Sequence, residues 1–346
     1  MLVGSNEEYM KAIRTIQFVG TDGQARVGVV DGDVVRVLKQ SPCSIYALAE
    51  RALAQGASLA GTVLSEVGDE VVDYDLLERE ERLLPPVTHP TSPANFLVTG
   101  TGLTHIGSAS ARNSMHHGVE DPANAPQSDS MRLFKQGLEG GKPSKGEIGA
   151  MPEWFYKGDG ACLVPSGQTM SSPNFARSCA EEPEITGIYL VGPDGTPWRL
   201  GYTICNDLSD HETERRNFMY VAPSKLRDCA MGPELLIGDL PAEVDGMSRV
   251  IRDGRVVWES PFMSGEDHMS YSIANLEHHH FRHVRFRRPG DLHAHLFGCP
   301  VMSFGEGFRT RSGDMFEFDI LAFGRPLRNR VIFETGTPKP FEIQQL

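Results

Sequence analysis

The sequence predicts a β-rich α+β protein in two parts, a small N-terminal α/β domain over residues 1–90 and a larger domain over 91–346. Three observations predict it. Residues 13–38 alternate apolar and polar in IRTIQFVG and ARVGVVDGDVVRVL, the period of half-buried strands. Helical spacing is clearest in one stretch, SIYALAERALAQGASLAGTVLSEV (44–67). Beyond residue 150 short strand-like runs alternate with turns: ITGIYLV, WRLGYTIC, SRVIRDGRVVWES, MFEFDILAFG. A chain of 346 residues is long enough for a large core and a smaller one.

The elements follow in order. Asp31-Gly32 reads as the turn of a hairpin between two strands. The helical stretch over 44–67 is interrupted near Gly56. LLPPVTHPTSP (83–93) is proline-rich and polar and serves as the linker between the two parts. Residues 108–150 are rich in Ser, Gly, Pro and Asn with weak periodicity, which reads as a functional loop or lid. The remainder reads as a sandwich or barrel-like β architecture, with a short helix in ETERRNFMY and no internal repeat.

Composition excludes several classes. A formal net charge of -13 argues against a nucleic-acid-binding surface, despite the short basic run RHVRFRR. The six cysteines (Cys43, Cys162, Cys179, Cys205, Cys229, Cys299) form no CxxC pair, as expected of reduced, buried thiols in a cytoplasm. The N-terminus MLVGSNEEYMKAIRT carries an acidic pair where a signal peptide needs apolar residues. No apolar run reaches the roughly 20 residues of a membrane span. The chain therefore reads as a cytoplasmic globular protein.

The stretch EEPE (181–184) is the richest in chemistry. Glu182 and Glu184 are two apart, so in an extended backbone they share a face. GPDG (192–195) signals a turn, and WRLGYTIC reads as the returning strand. Folding this hairpin about Pro193-Asp194 brings residue 184 opposite about 203 and residue 182 opposite about 205. Asp207 then lands about two residues from Glu182 across the ladder, about 7–8 Å away at Cα. Three carboxylates around one half-buried point raise one another's pKa or move apart. A divalent cation resolves this, and carboxylate oxygens suit Mg2+ or Mn2+ better than zinc. The same residues admit a plainer reading, with EEPE a solvated loop and Asp207 the cap of a helix at DLSDHETERR.

The order of motifs then resembles a known family. A lysine follows an aromatic run in EWFYKG (Lys157), then come EEPE and GYTICND, a second lysine in VAPSKLRD (Lys225), GPELLIGD, and RSGDMFEFDILAFGRPLRNRV. From about residue 92 to the C-terminus this is similar to the fumarylacetoacetate hydrolase superfamily. The resemblance implies a β-roll core like that family's C-terminal domain, a homodimer, and Mg2+ or Mn2+ at Glu182, Glu184 and Asp207. It implies that Lys225 approaches the bound substrate, a small 2-oxo acid. Members hydrolyse acylpyruvates, decarboxylate oxaloacetate, isomerise or dehydrate. Hydrolytic members carry a His-x-x-Glu dyad; here FLVTGTGLTHIGSAS supplies His105, with Ser108 where the Glu is expected. That weighs against carbon–carbon hydrolysis by the dyad, with His116 and His117 as substitutes. An arginine commonly stands four residues after the metal aspartate, and here His211 does. YSIANLEHHHFRHVRFRRPGDLHAHLFG, with SFGEGF behind it, is similar to a branch associated with bacterial sugar-acid catabolism. That branch implies dehydration of a 2-keto-3-deoxypentonate to 2,5-dioxopentanoate.

The candidate roles follow. Lys225 is the favoured base and Lys157 an anion clamp, or the reverse; His105 is a further catalytic candidate. Glu306, in SFGEGF, is a candidate acid or an ordinary turn glutamate. His211 with Asp210, His293, His295 and Ser303 are the candidate substrate-binding residues. HHH (278–280) cannot grip one ion, because consecutive helical residues point different ways, so it reads as a polar face or interface. His293 and His295 share a strand face, and the HxH spacing leaves open a zinc hydrolase or a pair of buried, hydrogen-bonded histidines. Two other classes stand beside the dehydratase: an acylpyruvate or 2,4-diketo-3-deoxy sugar-acid hydrolase, and a non-catalytic sugar-acid-binding protein.

Overall fold

The computed structural model describes residues 12–40, 43–107, 109–110 and 129–346. Ser108, His116 and His117 lie outside them. The N-terminal alternation forms β1 (Ile13–Val19), β2 (Ala25–Asp31) and β3 (Val34–Leu38). Asp31 pairs with Val34 across a two-residue turn, and Gly32 takes the positive φ, 62°, that such a turn needs. The expected helical stretch is two helices. Ser44 caps α1 (Ile45–Gln55) by accepting the Ala47 N–H, and Gly56 ends it in the left-handed conformation. Then follow α2 (Leu59–Ser65), β4 (Val67–Asp73) and α3 (Tyr74–Arg79). Part of the expected lid segment, Asp129–Gly140, is a helix, α4.

The later strands are β5 (Phe96–Gly100), β6 (Phe155–Asp159), β7 (Leu163–Pro165), β8 (Met170–Ser172), β9 (Pro183–Val191), β10 (Pro197–Asp207), β11 (Cys229–Met231), β12 (Leu235–Ile237), β13 (Val244–Arg252), β14 (Arg255–Ser264), β15 (Leu292–Leu296), β16 (Met315–Asp319) and β17 (Leu327–Phe333). The later helices are α5 (His211–Arg216), α6 (Val221–Ser224) and α7 (Ile273–Phe281). One large sheet runs β4-β3-β2-β1-β12-β10-β9-β15-β5-β6, with β11 and β7 branching from β10; the second runs β14-β13-β16-β17-β8. The N-terminal strands extend the large sheet, because β1 pairs with β12, Ile13 opposite Ile237.

Both faces of the large sheet are covered. On one, Ile185, Tyr202, Ile204 and Leu236 pack with Val250, Phe316, Phe318 and Val331 of the second sheet. On the other, Ile188, Leu190, Leu292 and Ala294 pack with Ile45, Leu48 and Ala49 of α1. All nine residues of β9 are buried, so ITGIYLV reads as a continuous apolar run where a half-exposed strand would alternate.

The β9–β10 hairpin forms, with a register two residues from the expected one. The turn places Val191 opposite Pro197, and a bulge at Leu200, between Arg199 and Gly201, adds one more residue to β10. Glu184 therefore faces Cys205, and the ladder continues through the Asp207 N–H to Glu182 O bond at 3.0 Å. Asp207 stands directly across from Glu182. A second bulge lies in β6, where Tyr156 pairs with Thr99 and Gly158 with Val98, leaving Lys157 between them without a ladder partner. Gly201 lies where β10 meets β12: a Cβ there would fall inside van der Waals contact with Leu236 O. Gly201→Ala should lower the unfolding free energy by about 1–3 kcal/mol. A urea titration reads this, and an unchanged midpoint would mean that the two strands are not so close.

Candidate metal centre

EEPE is not a solvated loop. Glu181, Glu182 and Glu184 are buried, as is Asp207. The helix cap at DLSDHETERR is Asp210, whose carboxylate accepts from Thr213 N–H and Oγ1–H at 3.2 and 2.8 Å. It also accepts from Arg177 N–H, Ser178 N–H and Arg227, so protein donors fill it. Burial would raise the Asp210 pKa, and these donors hold it below its usual value.

Glu182 and Glu184 project from one face of β9 and Asp207 from the end of β10. One oxygen from each lies within 4.8 Å of the others, and this is the one group among the described residues that could hold a metal ion. Two lysines enter the same point. Lys225 Nζ donates to Glu182 Oε2 and Asp207 Oδ2, both at 2.7 Å, and to Ser209 Oγ at 3.0 Å. It stands 4.9 Å over the Phe155 ring. Lys157 Nζ, aimed inward by its bulge, lies 2.8 Å from Asp207 Oδ1 and donates to Leu208 O at 2.6 Å.

The charges do not balance. Burial raises the Asp207 pKa, but Lys157 and Lys225 outweigh it and hold the carboxyl low. Burial would lower Lys225, but Asp207, Glu182 and Glu184 outweigh it and raise it well above the ordinary lysine value. Among the described residues no lysine is bound to Glu184. Its Oε2 accepts the Gly298 N–H at 2.7 Å, while burial and the charges of Asp207 and Glu182 push its pKa well up. Three converging carboxylates, two already engaged by ammonium groups and one short of charge, fit a hard divalent cation that prefers oxygen.

His211 joins this cluster: its Nε2 lies 3.3 Å from Glu182 Oε1, its Nδ1 3.5 Å from Glu214 Oε2, and its ring 5.0 Å from Phe304. Ser303 is engaged elsewhere. Its N–H and Oγ–H donate to Glu181 at 2.7 and 2.8 Å, and burial pushes the Glu181 carboxyl up to about 7 against those bonds. Glu306 is exposed and accepts from Trp258 Nε1 at 2.9 Å. His105 is buried between Thr104 and Ser264. Sequence reasoning missed Glu181, Phe155, Ser209 and Gly298. Phe155 had a signal, two residues before Lys157 on the same strand; Gly298 and Ser209 had none.

His293 and His295 share a face of β15, as expected, but among the described residues they join no group that could hold a metal. His293 Nδ1 bonds His280 Nε2 at 3.0 Å; His295 bonds Thr99 and Thr101. In HHH, His278 is exposed while His279 and His280 are buried, and His280 stacks on His295 at 4.6 Å.

No family model matches the chain. A curated 2-dehydro-3-deoxy-D-arabinonate dehydratase from Saccharolobus solfataricus is 30% identical over 113 residues, a match spanning 31% of this chain and 37% of that protein. A solved 2-keto-3-deoxy-D-arabinonate dehydratase, complexed with magnesium and 2,5-dioxopentanoate, aligns over 93% of this chain and 100% of its own, with a TM-score of 0.66 at 20% identity. A 5-carboxymethyl-2-hydroxymuconate delta-isomerase from Mycobacterium smegmatis aligns over 93% and 100%, with a TM-score of 0.55 at 16% identity. The chain shares the fold of these solved structures. The expected β-rich architecture is present, and the shared fold extends over nearly the whole chain. No helix among the described residues is long and apolar enough to cross a membrane.

The histidines make a pH prediction. Burial lowers His105 and His295 to about 3 and His293 to about 4, and lowers His280 well below its ordinary 6.5. In the unfolded chain each regains about 6.5. Below that value the unfolded state binds protons that the folded state refuses. Their contribution is therefore complete above about pH 6.5 and is lost as pH falls toward the folded values, by up to about 1.4 kcal/mol per histidine per pH unit. Urea titrations between about pH 7 and 5 read this slope. A flat stability there would mean that these rings take up protons in the folded protein as readily as in the unfolded chain.

Proposed function

We propose that the chain is a Mg2+- or Mn2+-dependent hydro-lyase that converts a 2-keto-3-deoxypentonate to 2,5-dioxopentanoate. The observation that carries this is the buried Glu182–Glu184–Asp207 group with Lys225 bridging two of its members. The magnesium and 2,5-dioxopentanoate bound by the structural neighbour support the choice of cation and product.

Glu182, Glu184 and Asp207 would hold the ion. When bound, it supplies a Lewis acid that stabilises negative charge on the substrate's carbonyl oxygen as C3 loses a proton. The chain's own groups do the rest. Lys225 Nζ is the group we assign to taking the C3 proton, which requires that the neighbouring carboxylates stop holding it as an ammonium. The C4–O bond then breaks and the hydroxyl leaves with a proton as water, and proton shifts from C5 through the new double bond give the aldehyde. Lys157 fixes Asp207 and so the shape of the ligand set. His211, four residues after Asp207 and 3.3 Å from Glu182 Oε1, is the group we assign to the substrate's polar end. The family resemblance also supports a homodimer, and the free cysteines are in keeping with a reducing cytoplasm.

Proton NMR of the purified protein with 2-keto-3-deoxypentonate tests the reaction. An aldehyde signal should appear with Mg2+, vanish on chelation, and come without pyruvate. Unchanged substrate, or pyruvate released from acylpyruvates, would replace the dehydratase reading with the hydrolase. Two variants test the roles. Lys225→Met should abolish turnover while Mn2+ still binds in calorimetry; a fully active variant removes Lys225 from the mechanism. Glu184→Gln should lose the metal, and undiminished Mn2+ binding would remove Glu184 from the ligand set.

A further inference from the structure

Glu184 is the triad member that no lysine among the described residues pairs with. Lys157 and Lys225 pair with Asp207 and Glu182. Glu184 is instead aimed by one backbone donor, the Gly298 N–H. What places that N–H therefore places the ligand.

Gly298 follows β15, at φ 96°, in backbone that favours glycine. Phe297 before it is held from both sides. Its N–H donates to Ile185 O at 2.9 Å, and its carbonyl accepts the Thr104 hydroxyl at 2.6 Å. A Cβ at position 298 would collide with Thr104 Oγ1, so this hydroxyl occupies the space that the glycine leaves. The Thr104 carbonyl in turn accepts the Ser270 N–H at 2.8 Å, which anchors the segment.

The same hydroxyl touches His105 Nδ1 at 2.8 Å. A threonine hydroxyl has one hydrogen, and a carbonyl can only accept. The hydrogen therefore goes to Phe297 O, and the Thr104 oxygen is left to accept from His105. Nδ1 must carry the ring proton. Nε2 is then the bare nitrogen, and Ser264 Oγ–H, 3.1 Å away, donates to it. Burial, which keeps this ring neutral, agrees with a single ring proton.

We propose that Thr104 is a positioning residue whose one hydroxyl sets both the Gly298 N–H that aims Glu184 and the tautomer of His105. The metal half of this rests on Glu184 being a ligand, as argued above; the tautomer half does not. The two ends are linked through Phe297 O, so coupling runs both ways. Filling the site with Mg2+ shifts the His105 ring signals although His105 is not a ligand, and disturbing Thr104 weakens the metal.

The test uses full-length protein labelled with 15N-histidine, together with Mn2+ calorimetry. In the unsubstituted protein His105 should be the Nδ1–H form, and its ring nitrogens should move on Mg2+ addition. Thr104→Val should weaken Mn2+ binding by about 10- to 100-fold, as loss of an outer-sphere partner does, and move the ring proton toward Nε2. Thr104→Ser, which keeps the hydroxyl, should restore both. An Nε2–H form in the unsubstituted protein overturns the proposal, and that measurement stands even if Thr104→Val does not fold. So does a folded Thr104→Val protein that binds Mn2+ undiminished with His105 unchanged. An unsubstituted protein that binds no Mn2+ overturns the metal reading instead, and the tautomer still decides the link from Thr104 to His105.

Discussion

Three carboxylates buried within 4.8 Å of one another are the constraint on which the surrounding structure depends. At an effective dielectric of about 20 each like-charge pair costs roughly 3–4 kcal/mol at that distance. Three such pairs approach the whole stability of a domain, about 5–15 kcal/mol. The fold offsets this with two buried ammonium groups, and each needs special placement. Lys157 reaches Asp207 because a bulge in β6 takes it out of the ladder. Lys225 follows the short helix α6 and is held among Glu182, Asp207 and Ser209 over the Phe155 ring. Phe155 can lie there because its partner across the ladder is Gly100, where a Cβ would strike the ring. The compensation stops one charge short at Glu184.

The rest of the molecule makes that point rigid. The central strand β9 is buried along its length between two apolar layers. Such a strand cannot slip by one residue without turning Glu182 and Glu184 to the opposite face. The N-terminal strands strengthen the same sheet through β1 and β12. The buried Glu234 ties this region to the β16–β17 connection, accepting the Arg325 N–H at 2.9 Å with Arg14 at 3.4 Å. Among the candidate residues outside the triad, Asp210, Ser303 and His295 spend their polar atoms on protein partners, and His293 bonds His280 through Nδ1. His211 is the candidate substrate residue that reaches the triad itself.

The fold alone does not choose a reaction. Its neighbours include an isomerase as well as a dehydratase. What this chain does is decided by side chains on the shared frame. His105 illustrates the point. Its ring bonds Thr104 and Ser264. The Thr104 hydroxyl that His105 Nδ1 touches also meets Phe297 O, next to the Gly298 N–H that Glu184 accepts.

Much of this was legible in the sequence, for a reason that particular residues show. The Asp31-Gly32 turn, the break at Gly56, the shared face of Glu182 and Glu184, and the HxH strand are local. Each depends on backbone periods of 2 or 3.6 residues or on the φ of one glycine. The convergence of Asp207 on the glutamates was also legible in outline, since a turn signal separates two apolar runs. Its register was not. The bulge at Leu200 answers to the pairing of β10 with β12, where Gly201 meets Leu236 O, and no pattern within β9 and β10 announces it. The same holds for which aspartate caps α5, for the burial of His280 against His293, and for the Thr104 hydroxyl that lies under Gly298. By itself the sequence determined which residues are extended or helical and which share a face. Tertiary structure decided which faces meet and at what offset, because those choices are made by contacts between segments tens to hundreds of residues apart.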